Sequence, residues 1–203
     1  MAEAAIQAGC QAFFGYPITP QSEIPEYFSR ELPPRGGLFL QAESEMAAMN
    51  MVMGASAAGG RVMTSTSGPG FCLKLEALAA MTLTRLPAVI VVVMRSGPAF
   101  GTMKAAQEDY RMCGNGGYRV VTMAPSDVQE AASMVYEAFD IADQYRNPVV
   151  ILADGMIGQM MGAVDFDRMP PRRENLPAKD WALRGSDARG GKAQAILFPV
   201  GTA

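Results

Sequence analysis

The chain has 203 residues, 49% of them hydrophobic, enough for one sizeable core. Its 17 basic and 20 acidic residues leave a net charge of −3 with no basic stripe, which excludes the electrostatic footprint of a nucleic-acid binder. There is no histidine, and Cys10, Cys72 and Cys113 are scattered without a CxxC pair, so the sequence offers no histidine base, no zinc set and no thiolate set for an iron–sulfur cluster.

Taken in order, residues 2–8 read as a helix ended by Gly9, and residues 12–14 as a short buried strand. The loop GYPITP follows at residues 15–20, where two prolines bias Tyr16 and Thr19 away from helical conformation. Residues 21–32 predict a helix with Ile24, Tyr27, Phe28 and Leu32 on one face. Pro33-Pro34 and Gly36-Gly37 break it, and residues 38–40 form the next strand. The central stretch is QAESEMAAMNMVMGASAAGGRVMTSTSGPG, residues 41–70. Ser44 is the expected N-cap of a helix beginning at Glu45 and stopped near Gly59-Gly60. A strand over residues 61–66 leads into Ser67-Gly68-Pro69-Gly70, a turn with so little side-chain bulk that a ligand or another backbone comes close.

Residues 71–85 predict a helix with Leu75, Leu78, Ala79 and Leu83 as its apolar positions. The unbroken Val/Ile run at residues 88–94 predicts a strand buried on both faces, and is far too short to span a membrane. No charged region precedes an apolar leader, so a cytoplasmic location is expected. Residues 99–117 read as loop with one helical turn near 105–110, residues 118–123 as a strand, Ser126 as the cap of a helix reaching Tyr145, and residues 149–152 as the last strand. Strands alternating with helices predict an α/β fold, a doubly wound parallel sheet, whose ligands bind beyond the carboxyl ends of the strands. Thr19, Glu45, Gly68, Gly70 and Arg95 all follow strands, and so converge on one rim. Residues 165–191 are rich in Pro, Arg, Asp and Gly and read as an extended tail anchored by Trp181.

Glu45 followed by a small-residue helix and then TSGPG resembles the pyrimidine-binding domain of thiamine diphosphate enzymes. The run GYPITPQSEIPEY at residues 15–27 is similar to the YPITP signature of 2-oxoacid:ferredoxin oxidoreductases. FLQAESEMAAMNM, VVVMRSGPAFG and YRNPVVILADGMIGQMM continue the likeness in order over roughly residues 1–185. Together they are most similar to the alpha-type subunit of the branched-chain (3-methyl-2-oxobutanoate) member. The resemblance implies a pyrimidine-binding domain over residues 1–164, with 165–203 a linker opening a truncated second domain. It also implies oxidative decarboxylation of a 2-oxoacid with coenzyme A to acyl-CoA, CO2 and reduced ferredoxin.

The resemblance assigns roles as well. Glu45, nine positions before Gly54 as in related thiamine enzymes, becomes the catalytic carboxylate at N1′ of the cofactor's pyrimidine. Pro17, Ile18, Gly68 and Gly70 join it as cofactor-binding residues. Thr19 and Arg95 become the clamp for the substrate carboxylate, Arg supplying a planar fork of donors and Thr a short hydroxyl. Glu43 is assigned to a subunit interface or to water, and Gln107, Asp109 and Tyr110 to a substrate-proximal loop. Asp154-Gly155-Met156 is not the GDG…NN segment that holds Mg²⁺ and the pyrophosphate, so no metal is expected on this chain and a beta-type partner would supply that half. A gamma-type subunit and a ferredoxin-type subunit carrying the iron–sulfur clusters complete the implied assembly. The alternatives are the 2-oxoglutarate member and a non-catalytic scaffold subunit or fragment. An acetolactate synthase is argued against by the YPITP loop and the missing pyrophosphate segment.

Overall fold

The computed structural model describes residues 1–96, 104–114 and 118–183. The expected loop positions 97–103 and 115–117 and the tail beyond residue 183 lie outside them. The chain alternates α1 (Ala2–Gln7), β1 (Ala12–Gly15), α2 (Glu23–Glu31), β2 (Leu38–Gln41), α3 (Glu45–Ala57), β3 (Val62–Thr66), α4 (Gly68–Thr84), β4 (Val89–Val93), β5 (Val121–Met123), α5 (Val128–Tyr145), β6 (Val149–Ala153) and α6 (Gly155–Gln159). The six strands form one sheet in the order β2-β1-β3-β4-β6-β5, every pair parallel. The expected doubly wound α/β sheet is therefore what the chain forms. Among the described residues no helix is long and apolar enough to cross a membrane.

Side chains alternate across each strand, so every central strand feeds both faces of the sheet. Val89, Val91 and Val93 of β4 join the layer of α1, α2 and α5, while Ile90, Val92 and Met94 face α3 and α4. On the first face Phe13 stacks between Phe28, ring centroids 4.4 Å apart, and Phe39, 5.9 Å away. The edge strand β2 leaves Leu38 and Leu40 exposed.

Some boundaries differ from the sequence expectation for local reasons. α4 begins at Gly68, so Gly68-Pro69-Gly70 is the first helical turn, where a missing N–H at Pro69 costs nothing. α5 is capped by Asp127, not Ser126: the Asp127 carboxylate accepts from Glu130 N at 2.7 Å, and Ser126 instead donates through N and Oγ to the Glu130 carboxylate. β5 starts at Val121, because Tyr118 is turned inward to donate its hydroxyl to Met112 O at 2.8 Å. α6 was not expected; Asp154 caps it by accepting from Met156 N at 2.7 Å.

Residues 161–183 carry only a short 3₁₀ turn at Phe166–Arg168, yet they are fastened to the body. Arg172 grips Asp140 through Nη2 at 2.7 Å and Nε at 3.0 Å, and Arg173 N donates to the same carboxylate. Arg61 bridges Asp140 and Asp143 from below β3, and Lys179 pairs with Asp143 at 2.7 Å. Trp181 lies under the Arg146 guanidinium, 4.6 Å from ring centroid to Cζ.

Burial pushes the Asp140 carboxyl up, but the Arg173 N–H and the Arg172 and Arg61 guanidinium groups outweigh it and hold the pKa below its ordinary value. Because the folded value is depressed, this contribution is complete above the ordinary carboxylate range and is lost as pH falls through the lowered value. Asp140→Asn is expected to lower stability by about 1 kcal/mol, the difference between charge-assisted and neutral hydrogen bonds. Thermal unfolding against pH checks this: the gap from wild type should close on acidification.

Candidate active site

The carboxyl rim beyond β1, β3 and β4 gathers the residues singled out in the sequence. Ser44 is extended and accepts from Ala47 N at 3.1 Å, which starts α3 at Glu45. That cap turns the Glu45 side chain inward, where it is 3% exposed, while Glu43 points to solvent and accepts from Ser44 Oγ. Glu45 Oε1 accepts from Thr66 Oγ1 at 2.8 Å, at the end of β3.

Glu45 Oε2 meets a partner that the sequence reading missed. Lys74 on α4 is wholly buried, and its Nζ stands 2.7 Å from Oε2. The same Nζ donates to Thr64 Oγ1 at 3.1 Å and to Glu45 O at 3.3 Å. The ion contact is close but not aligned as a hydrogen bond, so Oε2 retains an unfilled acceptor direction. Burial lowers the pKa of the Lys74 ammonium, and the facing Glu45 carboxylate works against that shift. A readable signal existed: Gly70, Lys74, Ala77, Leu78 and Met81 recur at helical spacing and form the buried stripe of α4, while Leu83 is 71% exposed.

The glycines of α4 make room for side chains of the site itself. A Cβ at Gly70 would stand 2.3 Å from Glu45 Oε1 and 2.5 Å from Thr66 Oγ1. A Cβ at Gly68, whose φ is +45°, would meet Arg95 Nε at 2.7 Å. Arg95 thus lies across the start of α4, and its Nη1 donates to Thr19 O at 2.9 Å. Thr19 and Arg95 are brought together, but through the main-chain carbonyl of Thr19. Pro17 is exposed and Ile18 half-buried in the loop after β1. Gln21 ties this loop to β3: it donates to Tyr16 O and accepts from Ser65 Oγ.

Asp109, in the 3₁₀ turn Glu108–Met112, closes the rim. Its Oδ2 accepts from Gly68 N at 3.0 Å and Arg95 N at 3.2 Å. Burial raises its pKa, with those two N–H groups opposing the shift. Gln107 and Tyr110 lie apart from Glu45's partners: they line a cavity of about 360 Å³ with Met94, Leu152 and Asp154, and Gln107 Nε2 donates to Asp154 Oδ2 at 2.9 Å. Among the described residues, five buried side-chain atoms lack an aligned hydrogen-bond partner: Arg146 Nε at the end of α5, and Glu45 Oε2, Ser67 Oγ, Arg95 Nε and Asp109 Oδ1 on this rim. Buried polar atoms are almost always satisfied, so this concentration of open donors and acceptors fits a polar ligand.

A doubly wound parallel sheet with a buried carboxylate and a polar, glycine-lined rim defines a cofactor-binding α/β domain. The chain belongs to the thiamine diphosphate-binding family of pyruvate flavodoxin/ferredoxin oxidoreductases, whose family model matches residues 3–180. It is 50% identical over 187 residues to the ketoisovalerate oxidoreductase subunit VorB of Methanothermobacter marburgensis, a match covering 90% of this chain and 52% of that protein. It is 45% identical over 164 residues to the 2-oxoglutarate synthase subunit KorA of Methanocaldococcus jannaschii, covering 78% of this chain and 44% of that protein. Among solved structures it resembles a 2-oxoglutarate:ferredoxin oxidoreductase from Magnetococcus marinus, with a TM-score of 0.74 and 35% identity over 77% of this chain and 28% of that one. The chain spans about half the length of the curated relatives it matches.

Proposed function

We propose that this chain is an alpha-type subunit that supplies the pyrimidine half of a thiamine diphosphate site in a cytoplasmic 2-oxoacid:ferredoxin oxidoreductase, with residues 1–164 as its pyrimidine-binding unit. The observation that carries the reading is Glu45, a buried carboxylate on the carboxyl rim with one oxygen open to a donor. The reaction is oxidative decarboxylation of a branched-chain 2-oxoacid with coenzyme A to acyl-CoA, CO2 and reduced ferredoxin. When bound, thiamine diphosphate supplies the nucleophilic carbon and the electron sink for decarboxylation. Glu45 accepts from the pyrimidine N1′ and moves a proton at that atom, a role for a carboxylate held rigidly and away from water. Thr66 fixes its other oxygen. Pro17, Ile18, Gly68 and Gly70 would hold the pyrimidine ring.

Thr19 and Arg95 hold the substrate carboxylate. Arg95 Nε is buried and open, and the contact of Nη1 with the Thr19 carbonyl steadies the fork. The pyrophosphate, its Mg²⁺ and the iron–sulfur clusters fall to beta-type, gamma-type and ferredoxin-type partner subunits, since this sequence lacks GDG…NN and clustered cysteines. Arg95→Lys keeps the charge and loses the fork. Hydrogen bonds to charged groups contribute about 1.5–3 kcal/mol, so kcat/KM should fall roughly ten- to hundred-fold with cofactor affinity unchanged. Steady-state kinetics of the reconstituted enzyme checks this; unchanged kinetics gives Arg95 a structural role.

The 50% identity to VorB supports a branched-chain substrate. The 45% identity to KorA favours 2-oxoglutarate as the second reading. A panel of 3-methyl-2-oxobutanoate, pyruvate and 2-oxoglutarate on the assembled enzyme separates them. A clear kcat/KM preference for 2-oxoglutarate overturns the branched-chain reading.

A further inference from the structure

We propose that Lys74 is a positioning residue that holds Glu45 in the orientation and charge balance its proton transfer requires. This inference rests on the thiamine reading of the site. Lys74 touches Glu45 at two places: its Nζ is 2.7 Å from Oε2 and donates to the main-chain O at 3.3 Å. One ammonium thus fixes both the carboxylate and the first turn of α3. A third contact, to Thr64 Oγ1 at 3.1 Å, references the ammonium to β3, the strand whose Thr66 hydroxyl holds Glu45 Oε1. Glu45 is therefore triangulated between α3, α4 and β3, with no water-exposed side chain in the set.

The cost of such an arrangement points away from a purely structural purpose. Burying an ammonium and a carboxylate together takes both out of water, and a hydrophobic pair of like volume at such sites is often as stable or more so. α4 would pack Met or Leu at position 74 on its apolar stripe as readily as it packs Leu78 and Met81. Lysine there adds charge next to a carboxylate that the site leaves partly open. Its contact with Oε2 is out of line, so the charge is supplied while an acceptor direction stays free. A proton held between Glu45 and a ring nitrogen would feel that fixed positive charge, and its position would depend on it.

The test is Lys74→Met, alone and with Glu45→Gln, in the enzyme reconstituted with its partner subunits. Lys74→Met removes the charge and keeps the length. The expected result is a kcat roughly tenfold or more below wild type, the size of coupling found between residues in contact, with KM for the 2-oxoacid little changed. The near-UV circular dichroism of bound thiamine diphosphate, which reports the protonation of its pyrimidine, should change as well. In the Glu45→Gln background the substitution should have no further effect on kcat, because Lys74 acts through Glu45. A kcat within about twofold of wild type with an unchanged cofactor spectrum overturns the proposal, as does an independent further loss in the Glu45→Gln background.

If Lys74→Met leaves too lonely a charge to fold, the doubly neutral variant removes both buried charges and keeps the comparison with Glu45→Gln. Equal kcat supports the proposal and a further drop overturns it. If Glu45→Gln itself retains full activity, the thiamine reading of the site fails, an outcome distinct from the failure of Lys74 alone.

Discussion

Glu45→Gln is expected to abolish most thiamine-dependent turnover in the reconstituted enzyme, by a factor on the order of 10²–10⁴, the range for losing a positioned proton-transfer group. Glutamine keeps the size and one hydrogen-bonding oxygen, so Thr66 Oγ1 retains its partner and the pocket its shape. It cannot take or give the proton. Glu43→Gln should leave activity close to wild type, because Glu43 is exposed and its carboxylate accepts from the neighbouring Ser44 Oγ. The measurement is decarboxylation by the assembled enzyme, with far-UV circular dichroism as a folding control. That control matters, since the substitution leaves the buried Lys74 ammonium without its countercharge. Near-full activity in Glu45→Gln with loss in Glu43→Gln would exchange the two carboxylates. Activity in both would favour the scaffold reading. The chain without its partners is expected to show no turnover at all.

Gly70→Ala is expected to have the next largest effect, although it adds one methyl group. The new Cβ would fall 2.3 Å from Glu45 Oε1 and 2.5 Å from Thr66 Oγ1, well inside contact distance. Both neighbours are buried, and Glu45 Oε1, though the end of its side chain, is pinned by Thr66 Oγ1 and by Lys74 on its other oxygen, so the pair has to part or the helix start has to move. Overpacking of this kind costs about 1–3 kcal/mol of stability. Displacing Glu45 by an ångström costs more in rate, roughly 10²-fold. The expected signature is therefore a loss of turnover out of proportion to a modest drop in thermal midpoint. Wild-type activity together with a clear drop in thermal midpoint would mean that the Glu45–Thr66 contact has no bearing on catalysis.

Much of this was legible in the sequence. The Val/Ile run of β4 reads as a strand buried on both faces, and the alternation of strands with helices left a parallel sheet as the economical solution. Ser44 was readable as a cap because a short polar side chain before an apolar run satisfies the orphan N–H groups of a helix start. That local chemistry also decided that Glu45, and not Glu43, turns inward. The glycines at 68 and 70 were readable as places of close approach.

Other features needed the tertiary structure. The sequence marks that something comes close to Gly70, but only the packing of α4 against α3 and β3 decides that it is Glu45 and Thr66. Likewise Arg95 and Thr19 are 76 positions apart, and the sheet order brings β4 beside β3 and sets the Arg95 guanidinium on the Thr19 carbonyl, not on its hydroxyl. Lys74 is the plainest case. In the sequence its spacing from Gly70, Ala77, Leu78 and Met81 puts it on the apolar stripe of α4, but nothing there names what it meets. Its partner lies 29 positions earlier, on another helix. Composition, periodicity and capping are local and fix the elements and which of their residues turn inward; the pairing of two buried charges is a non-local contact, set by how α3 and α4 cross over the same face of the sheet.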